Sequence, residues 1–208
     1  MSILALTSNT LTGSPGAGQL EYNGTIFAAT PASTQRGIVP TEQFFALNAG
    51  LAGANATGAQ SIFGVGVTLS ASTQYEFEIA VTLSKTAGTT AHTIAFGFGG
   101  TATLNNIGYG IFGNMQNTAS GVANNQPTND SFNNTAAATV LTTSSASATI
   151  YYTISIKGTV SVNAGGTFIP QYTLSAAPGG AYTTQAGSYM KIKPIGASGA
   201  NVSVGTWA

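Results

Sequence analysis

Residues 74–100 read QYEFEIAVTLSKTAGTTAHTIAFGFGG and decide the fold of this chain. From residue 74 to residue 83, large apolar side chains alternate with polar or small ones. The apolar set is Tyr75, Phe77, Ile79, Val81 and Leu83. Alternation with a period of two indicates a strand with one buried face. Each such side chain contributes about 1.5–3 kcal/mol when buried, against about 0–1 kcal/mol for an exposed ion pair, so burial sets the register.

A turn at residues 85–88 separates this run from a second alternating run. There His92, Ile94, Phe96 and Phe98 lie on one side, with small residues between them. Two alternating runs joined by a loop that contains glycine predict an antiparallel hairpin. We therefore expect residues 74–83 to pair with residues 92–98.

The alternation continues from residue 59 to the end of the chain, interrupted by Gly and Pro turns. Its clearest example is residues 150–162, where one face carries Ile150, Tyr152, Ile154, Ile156, Val160 and Val162. Pro170 interrupts another strand and lacks an amide donor, so we expect it at a sheet edge or a bulge. About eight strands at roughly ten-residue spacing predict an all-β fold, a β-sandwich of jelly-roll type.

The N-terminal part predicts a small separate unit. Leu20 and Tyr22 lead into Asn23-Gly24, a strong hairpin signal, and Ile26 begins the return strand. The residues after this hairpin, up to Pro40, are expected to form a loop. A hairpin this short is not stable alone, so we place a boundary near residue 40: an N-terminal hairpin segment, 1–40, and the jelly roll, 41–208.

Two further segments lack a clear strand pattern. Residues 41–58 hold the chain's one helix candidate, of one or two turns at most, with a strand as the alternative. Residues 114–137 are rich in Asn and without periodicity, and they predict a long surface loop suited to partner contacts.

Composition bears on the surface. Hydrophobic residues make up 43% of the chain and charged residues only 5%, where about 25% is usual. A free monomer would lack the charge repulsion that keeps small domains apart, so we expect a permanent assembly. The alternative is a neutral β protein that is soluble on its own.

Several classes of protein are disfavoured. Without cysteine, neither disulfides nor zinc–thiolate sites are expected. Five scattered Lys and Arg residues argue against nucleic acid as a partner. No apolar run is long enough for a membrane helix, and the N-terminus lacks the features of a signal peptide, so production in the cytoplasm is expected.

Two features raise the question of catalysis. His92 is the single histidine, which favours a structural role at the end of a strand. Glu76 and Glu78 lie about 6–7 Å apart by strand rise, within the spacing of glycosidase carboxylates. The favoured interpretation of this pair is a polar outer face, or a subunit contact to Lys157, Lys191 or Arg36. No enzymatic activity, cofactor or metal is therefore predicted.

Two segments resemble modules in virion structural proteins of tailed bacteriophages, cyanophages especially. They are GQLEYNGTIFAATPASTQRGIVPTEQFF, residues 18–45, and GSYMKIKPIGASGANVSVGTWA, residues 187–208. The shared patterns are G-x-(I/L)-E-Y-(D/N)-G-T-x-(F/Y) and a closing G-A-x-V-x-V-G-T-(W). Such modules occur in tail fibres and head-surface proteins and are similar to the trimeric jelly rolls of tumour-necrosis-factor heads. The family has no catalytic residues.

The resemblance implies a homotrimeric capsid decoration, or cement, protein that binds the major capsid protein or other virion proteins. Its location would be the virion, assembled in the host cytoplasm. The N-terminal segment would attach to the shell, and its candidate contact residues are Leu20, Tyr22, Ile26, Phe27 and Arg36. The alternative is the tip of a tail or head fibre that recognises a host surface polysaccharide. The candidate contact loop for such partners carries Asn117, Asn124, Asn125, Asp130 and Phe132.

Overall fold

A computed structural model of the chain describes residues 5–116 and 126–207. The regular elements in these ranges are strands, and no helix that could span a membrane is found there. The strands before the long central ones are β1 (Gln19–Tyr22), β2 (Phe27–Ala32), β3 (Gln35–Val39), β4 (Gln43–Ala46), β5 (Leu51–Ala52), β6 (Gln60–Ser61) and β7 (Val67–Leu69). They are followed by β8 (Thr73–Lys85), β9 (Ile94–Gly99), β10 (Thr103–Gln116), β11 (Gln126–Asn133), β12 (Thr139–Val140), β13 (Ile150–Ala164), β14 (Gly166–Leu174), β15 (Thr183–Thr184) and β16 (Tyr189–Ala197).

Two antiparallel sheets pack face to face as a sandwich. The larger runs β11-β10-β13-β8, after which β16 and β15 share the next position, followed by β4 and β5. The smaller runs β12-β9-β14, with β6 and β7 end to end beside β14. In both sheets an early strand pairs with a late one (β4 with β16, and β6 and β7 with β14). Between β7 and β15 the chain crosses from one sheet to the other at every step except that from β10 to β11. This order is the double Greek key of a jelly roll, which confirms the predicted fold class.

The predicted hairpin of residues 74–100 is wrong. β8 belongs to the larger sheet and pairs with β13, β15 and β16, whereas β9 belongs to the smaller sheet and pairs with β12 and β14. The two strands meet across the core instead, where the rings of Phe77 and Phe98 make an edge contact at 5.4 Å. Alternation shows only that a strand has one buried face. A hairpin within one sheet and two strands in opposite sheets bury the same side chains, so alternation does not distinguish them.

The core sits between the sheets and follows the predicted parity. Every apolar residue of the alternating set in β8 is buried, and so is the set in β13. Aromatic rings fill the middle, where Phe98 stacks on Phe168 at 4.4 Å and meets Tyr109 edge-on at 5.2 Å. Because such ring pairs add to the free energy of area burial, this cluster anchors the two sheets to each other.

The N-terminal hairpin is present, but the loop predicted after it is wrong. β1 pairs with β2, and residues 23–26 form the turn, in which Asn23 Oδ1 accepts hydrogen bonds from the amides of Thr25 and Ile26 at 2.9 and 2.8 Å. β2 then pairs with β3, so the unit is a three-stranded sheet. The tight second turn includes Thr34 in the left-handed region, at φ 64°.

Other predicted boundaries also change. Residues 41–58 contain β4 and β5 rather than a helix. The alternation expected from residue 59 onward breaks at Val65, which is half exposed. Part of the Asn-rich segment is strand β11, and the terminal residues 201–207 form no strand.

Pro170 lies inside the smaller sheet, facing Phe98 of β9. On its other side β6 and β7 leave a gap, and the Pro170 carbonyl accepts a hydrogen bond from the Ile62 amide at 3.0 Å. The missing amide donor of proline therefore faces a place where the neighbouring strand is interrupted.

Candidate functional site

The outer face of the larger sheet gathers most of the charge of the molecule. The chain has five acidic and five basic residues, and three of each lie together here. They are Glu42, Glu76, Glu78, Lys157, Lys191 and Lys193. Cross-strand register places Lys157 and Lys191 on either side of Glu78, and their Nζ atoms lie 3.2 and 3.5 Å from its Oε2. Lys193 pairs with Glu76 in the same way, at 3.2 Å.

The surroundings of Glu78 oppose its use as a general acid. The Tyr189 hydroxyl donates a 2.7 Å hydrogen bond to Glu78, and with help from Lys157 and Lys191 it lowers the pKa of that carboxyl. A general acid needs a raised pKa so that it carries a proton near neutral pH. Glu76 is half exposed beside Lys193. Glu78 thus forms cross-strand ion pairs with Lys157 and Lys191, and Glu76 forms one with Lys193, on a polar face. Arg36, the other predicted partner, pairs with Glu21 instead.

Aromatic side chains are exposed at both edges of this same sheet. At one edge, Phe112 of β10 and Phe132 of β11 point outward, with 56% and 74% of their surfaces exposed. They lie over Gly108 and Gly110, where an added Cβ would meet the rings at 3.4 and 3.8 Å. The backbone glycines therefore leave a flat apolar area, which we call the hairpin patch (Phe112 and Phe132).

At the opposite edge, β4 presents Phe44 and Phe45, which are 63% and 40% exposed. Phe44 stacks on Tyr189 at 5.5 Å, and Phe45 meets Phe63 edge-on at 5.8 Å. Together with Val65 these rings line an apolar groove of about 220 Å³ between the two sheets. We call this feature the β4 groove (Phe44, Phe45, Phe63 and Val65). Of the described strands, β16 alone pairs with β4, so within that part of the chain the other side of β4 is an open edge.

The predicted attachment residues of the N-terminal sheet divide into two groups. Leu20 is half exposed, whereas Ile26 is buried. Tyr22 and Phe27 stack on each other at 4.6 Å. Arg36 is bound to Glu21 at 2.8 Å and also donates to the Thr12 carbonyl. Leu20 is therefore the most exposed apolar member of this set, and Ile26 and Arg36 hold the small sheet together.

The predicted contact loop is described only in part. Asn117, Asn124 and Asn125 lie outside the described residues. Asp130 and Phe132 belong to β11, paired with Phe112 and Gly110 of β10. Phe132 is thus part of a sheet edge rather than of a loop.

A buried polar cluster lies at one end of the sandwich. His92 is buried, as is Tyr182, and the Tyr182 hydroxyl lies 2.7 Å from His92 Nε2. Nearby, the buried ammonium of Lys85 donates to the carbonyls of Gly88, at 2.7 Å, and Ser147. Burial lowers the pKa of Lys85 and that of His92. These groups tie loops to the sandwich, in keeping with the predicted structural role of His92.

The sequence analysis missed Phe44 and Phe45 as surface residues, because two adjacent phenylalanines indicate a core rather than an edge. It also missed Lys85, whose burial depends on loops that are distant in sequence. In the described part of the chain, no group of three or more His, Cys, Asp or Glu residues is arranged to hold a metal ion.

Comparison of the chain with protein-family models, with curated proteins and with solved structures gave no match.

Proposed function

We propose that the chain is a non-enzymatic bacteriophage structural protein, a homotrimeric capsid decoration protein that binds and stabilises the major capsid shell. The observation that carries the assembly is the pair of exposed aromatic surfaces at opposite edges of one sheet: the hairpin patch on β10–β11 and the β4 groove. The virion role rests on the resemblance of residues 18–45 and 187–208 to phage structural modules.

Two different apolar surfaces favour a head-to-tail contact. If the hairpin patch of one copy enters the β4 groove of the next, each copy uses both surfaces once, and a ring of copies leaves neither exposed. Three copies close the ring in the arrangement that the resemblance implies. The ion pairs of Glu76 and Glu78 lie between the two edges, where they keep the outer face of the sheet polar.

We expect the burial of apolar surface to supply most of the binding free energy of this contact. Covering roughly 100 Å² of each phenylalanine contributes about 2–3 kcal/mol per ring. A stable interface needs about 800 Å² per partner, so the strands around the rings also take part. Because charged groups contribute little, trimerisation should change little with salt concentration.

The ring is tested by two single variants, Phe44→Ser and Phe132→Ser, studied by sedimentation equilibrium. Each variant retains one intact surface, so alone it should be a monomer at concentrations where the natural chain is a trimer. Mixed together, they should form a heterodimer, because the Phe132 edge of one fits the Phe44 edge of the other. Tyr151→Ser, an exposed aromatic outside both surfaces, is the control and should remain a trimer.

Two results would contradict the head-to-tail contact. One is a natural chain that is monomeric at high concentration. The other is a Phe132→Ser variant that still self-associates, which would mean that the β4 groove binds a copy of itself.

Attachment to the shell is tested separately, by sedimentation of the natural chain with preformed shells of major capsid protein. The N-terminal sheet supplies the exposed Leu20, and Leu20→Ser should weaken binding without changing the trimer. Binding that falls steeply between low and moderate salt, or that survives deletion of residues 1–40, would refute the proposed attachment. The fibre-tip alternative depends on the Asn-rich segment, of which Asn117, Asn124 and Asn125 lie outside the described residues, and it stays a prediction.

A further inference from the structure

A cleft of about 1040 Å³ lies at one end of the sandwich, apart from both aromatic surfaces. Its floor is formed by Gln74 of β8, Asn106 of β10 and Ser161 of β13. One wall is Ile38 of the N-terminal sheet, and the other is the terminal segment that ends in Trp207. We call it the end cleft (Gln74, Asn106, Ser161, Ile38 and Trp207).

The floor is a row of three polar side chains on adjacent strands. Ser161 lies directly opposite Gln74 on one side and directly opposite Asn106 on the other. Side chains opposite each other in neighbouring strands have Cβ atoms about 4.5–5.5 Å apart. An amide, a hydroxyl and a second amide thus stand side by side, within reach of one small polar ligand.

Ser161 is the member of this row that points to a ligand. Only 2% of its surface is exposed, and among the described residues its Oγ has no hydrogen-bond partner. Burying a hydroxyl without a hydrogen-bond partner costs free energy of folding, and native structures keep such a group mainly where water or a ligand completes its hydrogen bonds. An alanine at this position would avoid that loss of free energy.

The chemistry of the cleft selects the class of ligand. Among the described residues, none that lines it is charged. Amide groups both donate and accept hydrogen bonds, as does a hydroxyl, and this matches a ligand whose own groups are hydroxyls. Trp207 is 82% exposed, and its indole N–H donates to the Val204 carbonyl at 3.1 Å, which orients the ring. The electron-rich face of an indole favours the C–H groups of a sugar ring.

We propose that the end cleft binds a neutral oligosaccharide, with its hydroxyls on Gln74, Ser161 and Asn106 and a sugar ring on Trp207. Nucleic acids fit poorly, because their affinity comes mainly from Lys or Arg at the phosphates, and neither is among the described residues that line the cleft. An apolar peptide would leave the amides of the floor unpaired. This site goes beyond the proposed capsid role and requires neither the trimer nor the shell.

Trp207 provides a direct measurement, because it is the single tryptophan of the chain. Full-length protein is titrated with neutral hexasaccharides of glucose (β-1,4, α-1,4 and β-1,3 linked) and of N-acetylglucosamine, up to about 10 mM, the weak end of specific binding. At least one series should shift the tryptophan emission and saturate, with the same affinity at low and high salt. No saturable change with any series would overturn the proposal, and so would salt-dependent binding of a polyuronate alone.

Variants separate a binding role from a structural one, with calorimetry as the readout of affinity. Asn106→Ala, at an exposed position, should weaken binding about tenfold, as expected for one lost hydrogen bond to a ligand. Ser161→Ala should weaken binding while leaving the melting temperature unchanged or higher, because the hydroxyl has no hydrogen-bond partner to lose within the described part of the chain. Tyr151→Ala, outside the cleft, is the control and should bind as the natural chain does. A fall in melting temperature for Ser161→Ala with unchanged affinity would mean that the hydroxyl is structural and would refute its proposed role.

Discussion

The His92–Tyr182 pair offers the sharpest test of the buried polar cluster. His92 Nδ1 lies 2.8 Å from the Thr90 carbonyl, which can only accept, so Nδ1 carries the proton. Nε2 is then the acceptor of the Tyr182 hydroxyl at 2.7 Å. Tyr182→Phe removes that donor and leaves a buried ring nitrogen unpaired. The expected loss in the free energy of unfolding is about 1–3 kcal/mol.

Thermal unfolding followed by circular dichroism measures this loss. For a chain of this length, about 2–4 °C per kcal/mol is expected, so the melting temperature should fall by about 2–12 °C. Protein concentration is held constant, because an oligomer's melting temperature depends on it. Tyr151→Phe makes the same chemical change at a partly exposed tyrosine and should have almost no effect. Equal melting temperatures for the two variants would refute the assigned hydrogen bond.

The same pair predicts a dependence of stability on pH. Burial is the main reason that the pKa of folded His92 is lowered, whereas the unfolded chain titrates near pH 6.5. As the pH falls below about 6.5, the unfolded state therefore binds a proton that the folded state does not, and stability is lost. The slope cannot exceed about 1.4 kcal/mol per pH unit for one group.

Urea unfolding between about pH 5 and pH 7.5 measures that slope, because this window lies above the ordinary carboxyl pKa values. His92 is the single histidine, so His92→Gln should make stability nearly constant across the window. A natural chain with no slope, or a variant that keeps the slope, would contradict the assignment.

Three further predictions concern the fold. Ile154 is fully buried in β13, so Ile154→Ala should lower the free energy of unfolding by about 2–5 kcal/mol, and a loss near zero would contradict its core position. Lys85→Met should lower the free energy of unfolding by about 1–3 kcal/mol, because it leaves buried carbonyls unpaired. Lys157→Met, on the exposed face, should lower it by about 0–1 kcal/mol. Equal losses for the two variants in urea unfolding would refute the difference. Deletion of residues 1–40 should leave a sandwich that unfolds cooperatively, because Ile26 lies outside the core cluster of the sandwich. Loss of the thermal transition would show that the N-terminal sheet and the sandwich fold as one unit.

The faces of the strands were predictable because alternation is a local property. Tyr75, Phe77 and Ile79 are buried as their spacing requires, and Ile154 and Ile156 follow the same rule in β13. An apolar side chain at every second position leaves a strand only one stable way to turn. For the same reason the all-β class and the sandwich followed from the pattern of strands and turns.

The surfaces were less predictable, because they depend on residues that are far apart in the chain. The lysine partners of Glu76 and Glu78 could be named from the sequence only as options, and the register assigned Lys193 to Glu76. Likewise, nothing local to Ser161 indicates that it stands between Gln74 and Asn106. These neighbours come from three strands that are separated by long stretches of chain.

Amino-acid order alone determined that the chain forms strands, which face of each strand is apolar, and that little charge remains for the surface. Only the tertiary structure decided that β8 and β9 lie in opposite sheets, that Phe44 lies on an open edge, and that three polar side chains form the floor of the end cleft. The physical reason is that burial of an apolar face is a property of one strand, whereas the choice of its neighbour depends on how all the strands together close around one core.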